Sequence, residues 1–155
     1  MKKIDLPKTL WWAVGSIVLM LIGAFGPWAK VLGIATVNGT DGGKDGWIVV
    51  GAAVVAAAVI ASFVRWPRRW LLTLPILAGI AGAATAAYDI NDINSLAPSS
   101  DSLFGGVDVV DTGWGIYLAL VSSISLTLAS IALSVETRRR AGTPEVPHTP
   151  TPAPS

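Results

Sequence analysis

Residues 47–70 read WIVVGAAVVAAAVIASFVRWPRRW. An uncharged run from Trp47 to Val64 is followed at once by a basic turn, 65–69, that holds Arg65, Arg68 and Arg69. At about 1.5 Å of rise per residue the run makes a helix of about 27 Å, close to the ~30 Å of a bilayer's hydrocarbon core. Lipid gives backbone N–H and C=O groups no partners, so a run placed there has to be helical. A second uncharged run, WLLTLPILAGIAGAATAAY, then occupies 70–88. The stretch therefore reads as two membrane spans joined by a short arginine turn, which must pack as an antiparallel hairpin.

Two further runs of the same kind flank this hairpin: WWAVGSIVLMLIGAFGPW at 11–28 and WGIYLALVSSISLTLASIALSV at 114–135. All seven tryptophans (Trp11, Trp12, Trp28, Trp47, Trp66, Trp70 and Trp114) sit at or beside the margins of the four runs. Indole favours the headgroup layer, so these rings are expected to act as interface anchors. The fold class expected is an all-α integral membrane bundle of four transmembrane helices, residues 1–135. A Pro/Thr-rich tail, 136–155, is expected to be disordered. The composition agrees with this class: 52% hydrophobic, 14% charged, mean hydropathy +0.61.

Charge placement orients the bundle. Of eleven Lys and Arg, nine lie before span one (Lys2, Lys3, Lys8), between spans two and three, or after span four (Arg138, Arg139, Arg140). Lys30 and Lys44 alone lie in the other connections. The positive-inside rule then puts both termini and the 65–69 turn in the cytoplasm, which implies a multi-pass protein of the cytoplasmic membrane. Span one outruns an ordinary signal-peptide core and no A-x-A site follows it, so an uncleaved anchor is expected.

Loops 29–46 and 89–113 face outward and hold seven of the ten acids: Asp41, Asp45, Asp89, Asp92, Asp101, Asp108 and Asp111. The first loop begins with a β-prone run, Val31 to Val37, before Asn38-Gly39, and reads as a short hairpin or compact turn over the bundle. The second is too apolar for a pure linker (Leu103, Phe104, Val107, Val109, Val110). It either folds back onto the first loop as a cap or offers a docking surface. Asp41 and Asp45 lack the rest of an EF-hand, and solvated turn residues are the default reading over convergence on a cation. Asp45-Gly46-Trp47 and Asp111-Thr112-Gly113-Trp114 both punctuate a helix start, which duplication would explain, and so would the needs of any outward-to-inward helix.

Helices in lipid associate by close packing and interhelical hydrogen bonds. Ala53, Ala57 and Ala61 of span two, and Gly79, Ala83 and Ala87 of span three with Gly82 beside them, form the expected small-residue packing faces. Pro75 is expected to kink span three. Ser123, Thr127, Ser130 and Ser134 fall on one face of span four, either as a hydroxyl lining or, the plainer reading, bonded to their own helix or a neighbour.

No Asp, Glu, Lys, Arg or His lies inside any span, which argues against proton relays, coupled-ion transporters, voltage sensors and intramembrane proteases. There is no Cys, and the only His, His148, is in the tail. No nucleophile–base pair and no metal set are legible, so neither an enzyme nor a cofactor is expected, and nothing suggests nucleic-acid binding. The partners expected are the lipid bilayer and other membrane proteins or a second copy. The function expected is non-catalytic, through protein–protein contact in the cell envelope, with a small oligomeric channel as an alternative.

The stretch GPWAKVLGIATVNGTDGGKDGW, 26–47, resembles the first outward loop of small uncharacterised four-pass membrane proteins of actinobacteria and their phages. Pro27-Trp28, the Val31–Val37 run and the Asp41–Trp47 turn carry the likeness. The resemblance implies the four-pass topology and brings no catalytic residues. It also permits a role in phage defence, since some prophage-encoded proteins of this type exclude competing phages.

Overall fold

The computed structural model describes residues 7–31, 35–41, 44–66, 68–96 and 110–142. Four helices carry the chain: α1 (Lys8–Phe25), α2 (Asp45–Arg65), α3 (Thr73–Leu96) and α4 (Trp114–Gly142). Each is long and apolar enough to cross a membrane. They pack in a ring in chain order, α1 on α2, α2 on α3, α3 on α4, with α4 closing back on α1. Only 33–39% of each helix's apolar window is buried inside this ring. The remainder, including Val54, Val55, Leu77, Ile80, Val121 and Leu128, faces outward, and an outer surface of that kind needs hydrocarbon around it.

The helices start and stop where local chemistry dictates. Pro7 stands as the cap of α1, and Gly26-Pro27 ends that helix because Pro27 has no N–H to continue the ladder. Asp45 sits in the first turn of α2, facing the positive end of its dipole. A 3₁₀ turn, Arg69–Leu72, leads into α3. Pro75 consequently lies in the first turn of α3, where its missing N–H costs nothing, and it starts the helix rather than kinking it.

Two helices outlast their expected spans. α3 continues past Tyr88 to Leu96, and Ile90 and Ile93, three apart, pack against the core. α4 runs through Glu136 and the three arginines to Gly142, so the first part of the expected tail is helical. Glu and Arg are good helix formers, and the first breakers arrive only at Gly142 and Pro144. At 29 residues, about 43 Å, α4 exceeds the hydrocarbon thickness, and its arginine turn projects beyond it. The rest of the tail, 143–155, and the apolar part of the second loop, 97–109, lie outside the described residues.

A three-stranded sheet covers the acidic end of the bundle, in the order β2 (Ala35–Asn38), β1 (Pro27–Val31), β3 (Val110–Thr112), antiparallel throughout. The second loop does fold back onto the first: Ala29, Lys30 and Val31 pair with Thr112, Asp111 and Val110. The hairpin of the first loop reverses between Val31 and Ala35, not at Asn38-Gly39. Asn38 instead begins a second turn, in which its side-chain amide donates to Asp41 at 2.7 Å and the Asp41 N–H donates to the Asn38 carbonyl at 3.0 Å.

The tightest seam is between α1 and α4. A Cβ on Gly23 would lie 2.5 Å from the Ala119 nitrogen and 2.9 Å from the Gly115 carbonyl oxygen, both rigid backbone atoms. A Cβ on Gly15, two turns earlier in the same helix, would meet nothing within 4 Å. Gly23→Ala should therefore destabilise the protein by about 1–3 kcal/mol through overpacking. Gly15→Ala should be neutral or stabilising by up to about 1 kcal/mol through helix propensity. Reversible unfolding of the two variants in detergent measures the difference, and equal effects would contradict the seam.

Candidate functional site

The hydroxyl face of α4 and the small face of α3, expected separately from the sequence, meet each other. Gly79 and Gly82 are buried against Ser123 and Thr127: a Cβ on Gly79 would lie 2.8 Å from the Ser123 carbonyl oxygen, and one on Gly82 would lie 2.7 Å from Ser123 Oγ. Met20 of α1 closes the same spot, with its terminal methyl 2.5 Å from that second position. Ser123 and Ser130 are fully buried, and among the described residues their hydroxyls have no hydrogen-bond partner. Thr127 donates to the carbonyl of Ser123 at 3.0 Å, a bond within its own helix, and Ser134 is half-buried nearer the basic end. The hydroxyls of Ser123 and Ser130 are enclosed between helices of a single chain, whereas Thr127 and Ser134 reach its surface.

The alanines divide differently from the sequence expectation. Ala53 is fully buried, whereas Ala57 and Ala61 face outward. The buried residues of α2 are Gly46, Val49, Ala53, Ala56, Val59, Ile60 and Phe63. On α3 Ala78, Gly79, Gly82 and Ala86 point inward, Ala83 is half-buried and Ala87 is exposed. Ala83, Ala84 and Ala87 instead line the floor of an open groove of about 430 Å³ between α3 and α4, walled by Ile80, Leu120, Ile124 and Leu128.

Six of the seven tryptophans (Trp11, Trp12, Trp47, Trp66, Trp70 and Trp114) are exposed on the surface of the bundle, between 47% and 63%. Trp28 differs: at 6% exposed it lies inside the fold, because Gly26-Pro27 ends the helix before it and carries it onto β1. Its indole N–H donates to the Gly23 carbonyl at 3.0 Å, and its own carbonyl accepts from Gly113 N–H at 2.7 Å. Gly39 passes directly beneath the ring, so close that no side chain fits there. Trp28 therefore joins the end of α1, the hairpin and the start of α4.

Sequence reasoning missed one polar contact in the spans. The Trp12 indole N–H donates to Ser125 Oγ at 2.8 Å, and Ser16 Oγ lies 2.8 Å from the same atom. Ser16 donates its own proton to the Trp12 carbonyl at 3.0 Å, which leaves Ser125 to donate to Ser16. The signal in the sequence is the i, i+4 spacing of Trp12 and Ser16, while nothing local marks Ser125 as their partner. Near the basic end Thr9 adds a further α1–α4 bond, donating to Glu136 Oε2 at 2.8 Å.

Beneath the sheet lies a cavity of about 150 Å³ where Asp45, Asp89 and Asp92 converge with Trp28, Asn38 and Ile93. The extension of α3 beyond Tyr88 is what brings Asp89 and Asp92 there. Among the described residues Asp89 Oδ2 is buried without a hydrogen-bond partner, and no group of three or more His, Cys, Asp or Glu is placed to hold a metal ion. Compared with protein families, with curated proteins and with solved structures, the chain shows no match to any of them.

Asp89 combines an orphaned oxygen with two neighbouring carboxylates, so an amide in its place relieves like-charge repulsion and supplies donors. Asp89→Asn should raise stability by about 0.5–1 kcal/mol. Thermal unfolding in detergent at neutral pH checks this, and a loss of stability would contradict the unpaired state of that carboxylate.

Proposed function

We propose that this chain is a non-catalytic protein of the cytoplasmic membrane that acts by binding other membrane proteins, with both termini and the arginine turn inside. The orientation rests on the distribution of Lys and Arg described above. The observation that carries the function is the alanine-floored groove between α3 and α4. Small side chains on a membrane helix allow close approach of another backbone, and there is no comparable reason to place them against lipid. Ala57 and Ala61 extend the same character to the outer face of α2. A transmembrane helix of a partner, laid along the groove from Ile80 and Leu128 at one end to Ala87 and Leu120 at the other, would bury its floor.

A photo-crosslinking side chain at Ala84, in native membranes, should capture a membrane protein reproducibly. The same side chain at Val121, exposed on α4 but not lining the groove, should capture much less. Ala84→Leu fills the groove and should abolish capture from a crosslinker at Ala87 while leaving the fold intact. A chain that remains alone and monomeric under these conditions, and in mild detergent, overturns the reading.

A further inference from the structure

At the basic end of the bundle, two clefts open on the two sides of Trp70. One, between the start of α3 and the end of α4, has Arg138, Thr73 and Ser134 at its rim over a floor of Leu72 and Ile76. The other, against the end of α2, has Arg68 and Ser62 with Trp66, Trp70 and Leu71. Each cleft thus combines one guanidinium, at least one hydroxyl group and an apolar base, with the indole of Trp70 as the shared wall. We propose that these two clefts bind the phosphate groups of anionic phospholipids.

Four features support this occupant. First, charge: Arg65, Arg68, Arg138 and Arg139 crowd this end, and Glu136, the acid among the described residues here, is already engaged by Thr9. Second, availability: Arg65 lies 5.7 Å from the Trp66 ring centre, and Arg139 has an interaction of its own. Arg68 and Arg138 are exposed and, among the described residues, form no ion pair or side-chain hydrogen bond. Third, chemistry: a guanidinium offers a planar pair of donors that matches two phosphate oxygens. Fourth, depth: Trp66 and Trp70 are 61% and 60% exposed at the margin of the apolar spans, where headgroups lie, and the Leu and Ile floors lead from the arginines toward the acyl-chain region. A basic pocket between membrane helices is suited to an acidic headgroup in a way that a flat basic surface is not.

The test uses the full chain, delipidated in a neutral detergent, with phosphatidylglycerol, phosphatidylcholine and inorganic phosphate as probes. Binding is read by native mass spectrometry and by the shift in melting temperature. Phosphatidylglycerol should bind and stabilise, while phosphatidylcholine and inorganic phosphate at equal concentration should do neither. Arg138→Gln and Arg68→Gln should each weaken phosphatidylglycerol binding about fivefold at its own cleft, equivalent to about 1 kcal/mol for one arginine at a lipid surface, leaving the other cleft unchanged, and the double variant should weaken both sites about fivefold. Arg65→Gln removes the same charge from the same end but lines neither cleft, and it should change affinity less than twofold. Equal losses in all three single variants would mean diffuse attraction and overturn the proposal. Binding of inorganic phosphate as tight as that of the lipid, or equal retention of phosphatidylcholine, would overturn it too.

Discussion

The inability of hydrocarbon to hydrogen-bond a peptide group governs the architecture of this chain. Among the described residues the stretches long and apolar enough to cross a bilayer are carried by α-helices, and the strands and the 3₁₀ turn lie at their ends. The sheet of β1, β2 and β3 occupies the acidic end, and the 3₁₀ turn at Arg69–Leu72 the basic end. The same constraint accounts for the outer face. A ring of helices this narrow leaves most of its apolar side chains outside, which is tolerable only where the surroundings are apolar as well.

Once the helices are in lipid, apolar side chains no longer drive them together, and close approach has to do so. α4 carries most of that approach. Its backbone near Gly115 and Ala119 receives Gly23 of α1, and its Ser123–Thr127 turn receives Gly79 and Gly82 of α3. Hydrogen bonds supplement the packing at Ser125 and Glu136. At the acidic end Trp28 fixes the sheet to this seam, using its ring, its N–H and its carbonyl on three different segments. Covering that end gathers Asp45, Asp89 and Asp92 around the small cavity and lines its wall with an aromatic ring.

Helix starts were legible in the sequence to within about three residues, because length and hydropathy report directly on the bilayer, but α3 and α4 run on well past the ends of their apolar stretches. Helix faces were less so. Alanines at 53, 57 and 61 each advance about 40° around the helix relative to one face, so by Ala61 the stripe has turned about 80° toward the lipid. The buried face of α2 is centred on alternating steps of four and three, Val49, Ala53, Ala56, Ile60 and Phe63, with Gly46 and Val59 beside them, which keeps it in register with its neighbours. Ser123 and Ser130, seven apart, were read on such alternating steps, and both are buried. Trp28 was misplaced because its proximity to an apolar run hid the Gly26-Pro27 stop just before it. β3 pairs with a strand some eighty residues earlier, and three residues carry too little pattern to announce that. The groove and the two arginine clefts are products of packing and had no sequence signature beyond their residue types.

The chain contains no cysteine, so single substitutions can report its placement in intact cells without background. Asp41→Cys, Val55→Cys and Arg68→Cys would be treated with a membrane-impermeant thiol reagent before and after permeabilisation. Asp41→Cys should react from outside, Arg68→Cys only after permeabilisation, and Val55→Cys not at all, although its side chain is 48% exposed on the bundle. Labelling of Arg68→Cys from outside, or ready labelling of Val55→Cys before any detergent is added, would contradict the membrane-spanning account.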